Sequence, residues 1–384
     1  MKIFFLLLII SSNIIAKDFI SFDSSKFYKE MPKGYYYYNP EEVGAQSFFH
    51  PYQIVIEGGF GTLYNRKISE FDFKSGIKSL SYTLTHPIEI IEDYGVWNFF
   101  HDEFIPHTGP RQYFIANYSW HFIALGMRTK LLDEYYRFHN YKHHKLLAWS
   151  TIYSLHFINE LIQAEKFKTT KGSSDALPDL FFFDWLGGLF FSFDGVNNIM
   201  SGFFHLREWT HQSQLNPLTG RLINNGQLFW SRVKIYDKFS ISLLSGEQIN
   251  TVNLSYEFAN KQTLSLGIGR KVKVFTEGKN GTTTLSGLVP TIGIYYSIND
   301  NPLLTITYEP RKKADSALFN GHQNEYTQKL LINLYPGLID INGFKPGITL
   351  SFQKDAFFIG ISSKDWPLGF IFSTPQRKEY LNAE

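Results

Sequence analysis

Through most of the stretch from Leu228 to Phe372 every second residue is apolar, and a period of two fits extended strands rather than helices. Between Thr251 and Phe258, for example, Val252, Leu254, Tyr256 and Phe258 fall on one face, and Thr251, Asn253, Ser255 and Glu257 on the other. Leu264, Leu266 and Ile268 alternate in the same way with Ser265, Gly267 and Gly269, and the pattern returns at residues 304–308, 328–334, 348–352, 358–361 and 368–372. Turn-forming clusters separate these runs at Asn260-Lys261, at residues 277–281, at Asn299-Asp300-Asn301-Pro302, at Asn342-Gly343 and at Lys354-Asp355. The spacing predicts about ten antiparallel strands over residues 228–372. Earlier strand-like runs lie at residues 53–57 and 79–85.

Two architectures produce this alternation. A soluble sandwich or barrel turns the apolar face inward, whereas a membrane barrel turns it toward lipid and lines its interior with Ser, Thr, Asn, Gly and Glu. The aromatic content of 17% and the small or polar residues opposite the apolar face favour the membrane version. Tyr295, Tyr296, Tyr308, Tyr335 and Trp366 sit near strand ends, where an aromatic girdle is expected. Gly369-Phe370-Ile371-Phe372 partly resembles the aromatic-ended last strand used by the barrel-assembly machinery, although the polar tail 373–384 follows it. The expected fold class is therefore mainly β with an α insertion: an outer-membrane-type antiparallel barrel of about 10–12 strands plus a helical hairpin domain.

The amino terminus points the same way. Lys2, the apolar run 3–10, and Ser11, Ser12 and Asn13 leading to Ala16 form the pattern of a secretory signal over residues 1–16. That apolar run is far shorter than the ~20 residues a spanning helix needs. No cysteine is present, so lipoprotein anchoring, disulfides and thiolate chemistry are excluded. Lys+Arg at 37 against Asp+Glu at 35 leaves no basic excess of the kind nucleic acid would require. The expected organisation is a signal at 1–16, an extension at 17–103 with possible early strands, a helical domain at 104–212, barrel strands at 213–373 and a polar tail at 374–384. The expected partners are outer-membrane lipid and the barrel-assembly machinery, in the outer membrane of a Gram-negative bacterium.

Between residues 104 and 206 the period changes. Residues 113–138 and 145–165 carry apolar side chains at spacings of three and four, as amphipathic helices do, and the charged link 137–144 joins them as a hairpin. Asp175-Ala176-Leu177-Pro178 reads as the entry to a third, almost wholly apolar helix over residues 179–193, with Pro178 near its first turn and Asp175 or Asp179 available as an N-cap. The pair Gly187-Gly188 would let a neighbouring helix approach closely. Residues 35–38, four consecutive tyrosines, fit an interface belt or a loop packed on a barrel rim.

The order of a His helix (Trp120 to Gly126), a Glu helix (Ile158 to Gln163) and a helix with two Asp and a Gly pair (Ser174 to Gly188) resembles the VanZ-like and YfiM-like families of small bacterial membrane or envelope proteins. With Phe104-Ile105-Pro106-His107-Thr108-Gly109 upstream and the β-rich carboxyl half, the layout resembles a bacterial outer-membrane family of unknown function. The resemblance covers about a quarter of the chain and implies a fold more than a reaction.

His121, Glu160, Asp179 and Asp184 are the candidate site, with His107 a further member. They are candidates either for acid–base catalysis or, through His121, Glu160 and Asp184, for holding a divalent metal. A buried polar network that fixes helix packing is the competing reading. At about 100° per residue, Asp179 and Asp184 lie some 140° apart around an α-helix and should not share one face. His205, Glu208 and His211 form a second possible metal face if residues 203–212 are helical, whereas His139, His143 and His144 read as a solvated loop. Three functions follow: a non-enzymatic envelope barrel with a plug-like helical domain, an envelope enzyme acting on a lipid or amphiphile, and a narrow channel or transporter.

Overall fold

A computed structural model describes residues 31–40, 43–61, 72–108, 113–164, 174–209, 211, 213–224, 226–246, 249–258, 261–277, 283–310, 328–353 and 357–374. The expected signal at 1–16, the tail beyond residue 374 and the turn positions 260, 278–281 and 354–355 lie outside these residues.

The carboxyl half forms one sheet of 13 strands in the order β1-β4-β5-β6-β7-β8-β9-β10-β11-β12-β13-β2-β3. Ten of these succeed one another as antiparallel neighbours, from β4 (Leu228–Tyr236), β5 (Phe239–Gly246), β6 (Ile249–Glu257), β7 (Gln262–Glu277), β8 (Thr283–Ile298) and β9 (Asn301–Tyr308) to β10 (Gln328–Leu334), β11 (Gly347–Gln353), β12 (Phe357–Ser362) and β13 (Gly369–Ser373). The ten expected strands are therefore present. Three short strands precede them: β1 (Arg207–Glu208), β2 (Gln214–Asn216) and β3 (Arg221–Ile223). Asn299 and Asp300, both at positive φ, make the two-residue turn between β8 and β9, the primed geometry that suits the strand twist.

Among the described residues the ladder is not a closed ring, because β1 pairs with β4 and β3 with β2. The two ends are nevertheless tied by the chain itself. β1 lies against β4, β2 lies parallel to β13, and only residues 209–213 separate β1 from β2. Trp209 N donates to Leu228 O and Gly369 N to Ser213 O, so the tie is hydrogen-bonded on both sides.

The sheet's burial is inverted relative to a soluble fold. Val252, Leu254, Leu266 and Ile268 are 57%, 56%, 59% and 71% exposed, while Ser242, Thr251, Asn253, Ser255 and Ser265 on the alternate positions are at most 2% exposed. Those buried polar groups satisfy one another across strands: Ser242 with Ser255 at 2.5 Å, Ser255 with Ser265 at 2.7 Å, and Asn253 Nδ2 donating to Ser242 O at 3.1 Å. Further round the sheet, Gln214 Nε2 donates to Thr349 and Ser362, and Asn224 Nδ2 donates to Asn333. Trp209 and Trp230, both fully buried, stack at 4.1 Å with Tyr295 against them, so large side chains fill the polar side of the sheet at that level. The aromatic girdle expected from sequence is only partly realised. Tyr308 is exposed, but Tyr295 and Tyr335 are buried among the inward groups, and Tyr296 is covered by Val43.

The helices run α1 (Pro51–Gly59), α2 (Phe73–Thr85), α3 (Pro87–Tyr94), α4 (Val96–Phe104), α5 (Tyr113–Ala116), α6 (Gly126–Phe138), α7 (His144–Ala164), α8 (Ala176–Pro178), α9 (Asp184–Phe190) and α10 (Asp194–Asn198). π-Helical stretches are inserted at Asn117–Leu125, Asp179–Phe183 and Ile199–Phe203. The hairpin of residues 113–138 with α7 is present as the sequence suggested. The early strands expected at 53–57 and 79–85 are not. Those residues lie in α1, opened by Pro51 with the His50 side chain accepting from Tyr52 N, and in α2, capped by Asp72 accepting from Ser75 N. Leu80 and Leu84 are four apart, a spacing that satisfies a period of two and a helical turn equally, and tertiary packing against α7 decides for the helix.

The four tyrosines at 35–38 bind helix α6 rather than a sheet rim. The backbone N–H groups of Tyr36, Tyr37 and Tyr38 donate to the buried Glu134 carboxylate at 2.9–3.0 Å. The glycine pair works as expected. A Cβ on Gly126 would come within 2.6 Å of Gly187 O, and one on Gly187 would collide with Phe122 O, so α9 and the segment entering α6 pack backbone to backbone. The helical unit meets the sheet at the rim of the short turns. Asn301 Nδ2 donates to Val43 O, Phe48 packs on Tyr335, and His205 pairs with Asp300 in the β8–β9 turn. The buried Arg128 of α6 clamps Glu208 of β1, with Nε donating to Oε2 at 2.8 Å.

Candidate functional site

Three helical segments converge on one buried cluster. The π-helical stretch Asn117–Leu125 supplies His121, α7 supplies His156 and Glu160, and the segment through Asp179–Phe183 into α9 supplies Asp179 and Asp184. The two imidazoles stack with centroids 4.5 Å apart and planes 16° from parallel. Asp184 Oδ2 is hydrogen-bonded by His156 Nδ1, and Asp184 Oδ1 lies 3.6 Å from His121 Nδ1. The other nitrogens face carboxylates: His121 Nε2 is 3.4 Å from Asp179 Oδ2, and His156 Nε2 is 3.4 Å from Glu160 Oε1.

All four residues expected from sequence are therefore brought together, against the expectation that Asp179 and Asp184 point apart. The reason is local. Asp179–Phe183 is π-helical, and its i→i+5 hydrogen bonding sets residues five apart nearly above one another, where α-geometry would leave them about 140° apart. His107 stays outside the cluster, its Nδ1 bonded to Ile105 O and its ring against His101. Among the described residues 204–209 and 211 no helix forms, and Arg207–Glu208 is strand β1, so His205, Glu208 and His211 do not share a helix face. His205 turns to Asp300, Glu208 to Arg128 and His211 to the Tyr335 hydroxyl. Asp175 precedes α8 but makes no side-chain cap.

His156, Glu103, Asn117 and Asp175 complete the cluster; from sequence Asp175 was only a possible N-cap, and the other three were not singled out. For His156 the signal was present, since it lies one helical turn before Glu160 and so on the same face. Glu103 had none, because only the fold brings α4 to this point, where Asn117 Nδ2 donates to Glu103 Oε2 at 2.9 Å.

Charge is crowded here. Burial works against the ionised form of His156, yet the Asp184 and Glu160 carboxylates outweigh it and raise the imidazole to about 10. Burial, joined by the neighbouring His156, lowers His121, and Asp184 opposes this only in part. Burial pushes Asp179 well above the usual carboxylate range, with Asp175, Glu160 and Glu103 adding to it. Burial likewise raises Glu103 to about 9, reinforced by Asp175 and opposed by the Asn117 hydrogen bond.

A folded protein that keeps a proton on Glu103 which the unfolded chain releases loses stability as pH rises from about 4.5 to about 9. Glu103→Gln should flatten that slope when chelator is present. Its melting temperature is expected to match the parent near pH 4.5 and to exceed it by something on the order of 5 °C near pH 9. Parallel pH profiles for the two proteins would refute this.

Several buried atoms in the cluster have no hydrogen-bond partner among the described residues: His121 Nδ1, His156 Nε2, Asp179 Oδ1, Asp184 Oδ1 and Glu103 Oε1. Each orphaned buried group costs about 1–3 kcal/mol, a cost that a further ligand at the cluster would offset. Two overlapping sets have ligand atoms within 4.8 Å of one another, His121/His156/Asp179 and Glu160/Asp175/Asp179. A third set, His101/Asp102/His107, is separate from these and half-buried, with Asp102 itself buried. The arrangement suits proton transfer between carboxylic acid and imidazole, or cation binding. No family model, curated protein or solved structure matches this chain.

Proposed function

We propose that this chain is an outer-membrane β-barrel protein of a Gram-negative envelope, exported through its amino-terminal signal and inserted by the barrel-assembly machinery. In this reading a helical unit docked on one rim carries a His/carboxylate centre that acts on a membrane amphiphile. The observation that carries the membrane placement is the inverted sheet, with Leu254, Leu266 and Ile268 outward and Ser242, Ser255 and Ser265 buried. The tie through residues 209–213 supports closure into a barrel. The Trp209–Trp230–Tyr295 packing argues against passage of solutes.

An amphiphile is favoured by the surface beside the centre. Phe181, Trp185, Leu189 and Phe193, each four residues from the next, are 60%, 54%, 55% and 59% exposed, on the same segment that turns Asp179 and Asp184 inward. No single described helix is long and apolar enough to cross a bilayer, although the bent pair Ala176–Phe190 and Asp194–Phe203 together reaches that length and apolarity. In this reading the stripe lies along the membrane boundary. The likeness to VanZ-like and YfiM-like helical segments agrees with an envelope setting and adds no reaction. Expression with the native signal tests the placement. The protein should stay with outer membranes through a carbonate wash and migrate faster on gels unheated than boiled. Recovery as a soluble periplasmic protein would overturn it.

A further inference from the structure

We infer that the helical centre is a binding site for one divalent first-row cation, held by His121, His156 and Asp179, with Glu160 at its edge and Asp184 hydrogen-bonded to His156 and beside His121. This rests on the centre being a working site, and it is independent of where the sheet resides.

Asp184 lies on the Nδ1 side of both rings, hydrogen-bonded to His156 and 3.6 Å from His121. A carboxylate on Nδ1 orients a ring so that a cation displacing the Nε2 proton meets the Nε2 lone pair, which is how metal-ligating histidines are held. Each Nε2 faces a carboxylate oxygen at 3.4 Å. Direct charged hydrogen bonds are shorter, at about 2.7–2.9 Å. Two ligands about 2.1 Å from a common tetrahedral cation lie roughly 3.4 Å apart, which is the separation found at both pairs.

Three further observations agree. His156 Nε2 and Asp179 Oδ1 are buried without hydrogen-bond partners among the described residues. The ligand atoms of His121, His156 and Asp179 lie within 4.8 Å of one another, and Glu160 and Asp175 extend the same carboxylate group through Asp179. Among the described residues, Glu160, Asp179 and Asp184 lie against the two imidazoles and Asp175 lies beside Glu160 and Asp179, a crowd of carboxyl groups whose joint ionisation a dication would favour. Imidazole with carboxylate, and no thiolate, selects zinc, manganese or iron(II) over soft copper(I).

Full-length protein purified in detergent, stripped with a chelator and reloaded, should retain at least one equivalent of zinc or manganese per chain by elemental analysis. Cobalt(II) as a probe should give the visible bands of a low-coordinate N/O site. His121→Asn and Asp179→Asn should each weaken binding at least tenfold, and Asp184→Asn by 10–100-fold, with far-UV circular dichroism confirming the fold. His143→Asn, in the exposed α6–α7 link, should bind as the parent does. Folded parent protein that retains no cation overturns the inference, as does stoichiometric binding that survives both ligand substitutions. Should the ligand variants fail to fold, the cobalt spectrum of the parent decides alone: octahedral, weakly absorbing cobalt counts against the site. None of these outcomes bears on membrane fractionation, so the two proposals fail separately.

Discussion

Leu266→Arg is expected to destabilise the folded protein in lipid vesicles by about 2–4 kcal/mol, and Leu254→Arg with Leu266→Arg by more. The two leucines face each other across β6 and β7, and both are more than half exposed. On a water-facing sheet an exposed leucine can become arginine within about 0.5 kcal/mol either way. On a lipid-facing sheet the guanidinium must be held in hydrocarbon or drag water to it. The two settings therefore differ in the size of the effect, not in its detail. Unfolding of vesicle-inserted protein in urea, followed by the gel shift between folded and unfolded forms, gives the number. An unchanged midpoint would remove the case for a lipid-facing surface.

Arg128→Ala should cost about 3–5 kcal/mol, because it withdraws the guanidinium from a carboxylate that stays buried. Arg128 and Glu208 are 1% and 4% exposed, and their two-pronged pairing joins α6 to β1. Arg128→Met combined with Glu208→Leu should recover most of the loss, since apolar packing replaces both charges at once. Limited proteolysis reports where the damage lies. Cleavage between the helical unit and the sheet should appear in Arg128→Ala and fade in the double variant. An Arg128→Ala protein as stable as the parent would show that the clamp contributes little to docking.

Much of the sheet was legible because its period is unambiguous. Ten strands fall where residues 228–372 alternate, and Asn299-Asp300 makes a turn where the sequence has turn-formers. Alternation does not say which face meets solvent, and only the buried Ser242, Ser255 and Ser265 decide it. Where a pattern satisfies two periods, as Leu80 and Leu84 do, the helix packed on α7 wins for reasons outside the local sequence. The centre was half legible. His121, Glu160, Asp179 and Asp184 could be picked out by residue type, but their meeting depends on a π-helical stretch that no local propensity announces. Glu103 enters from α4 through a contact fixed only by the tertiary fold. The tyrosines at 35–38 misled in a different way: aromatic composition suggested a rim, while the backbone beneath them serves a buried carboxylate.

The tie between β1 and β2 also sets an order of events. β2 belongs to the first part of the sheet to be synthesised, yet its neighbour β13 is the last strand made, so Gln214 waits for Gly369 and Phe370. That pairing has the longest loop in the sheet and the largest entropic delay, while β4 to β12 can zip along as successive hairpins. Until it forms, the Gln214 amide lacks its Thr349 and Ser362 partners, and an open edge of unpaired backbone stands beside apolar faces. The β2–β13 pairing is therefore expected to form last, and substitutions at Gln214 should slow recovery of the folded sheet in refolding experiments more than they lower its final stability.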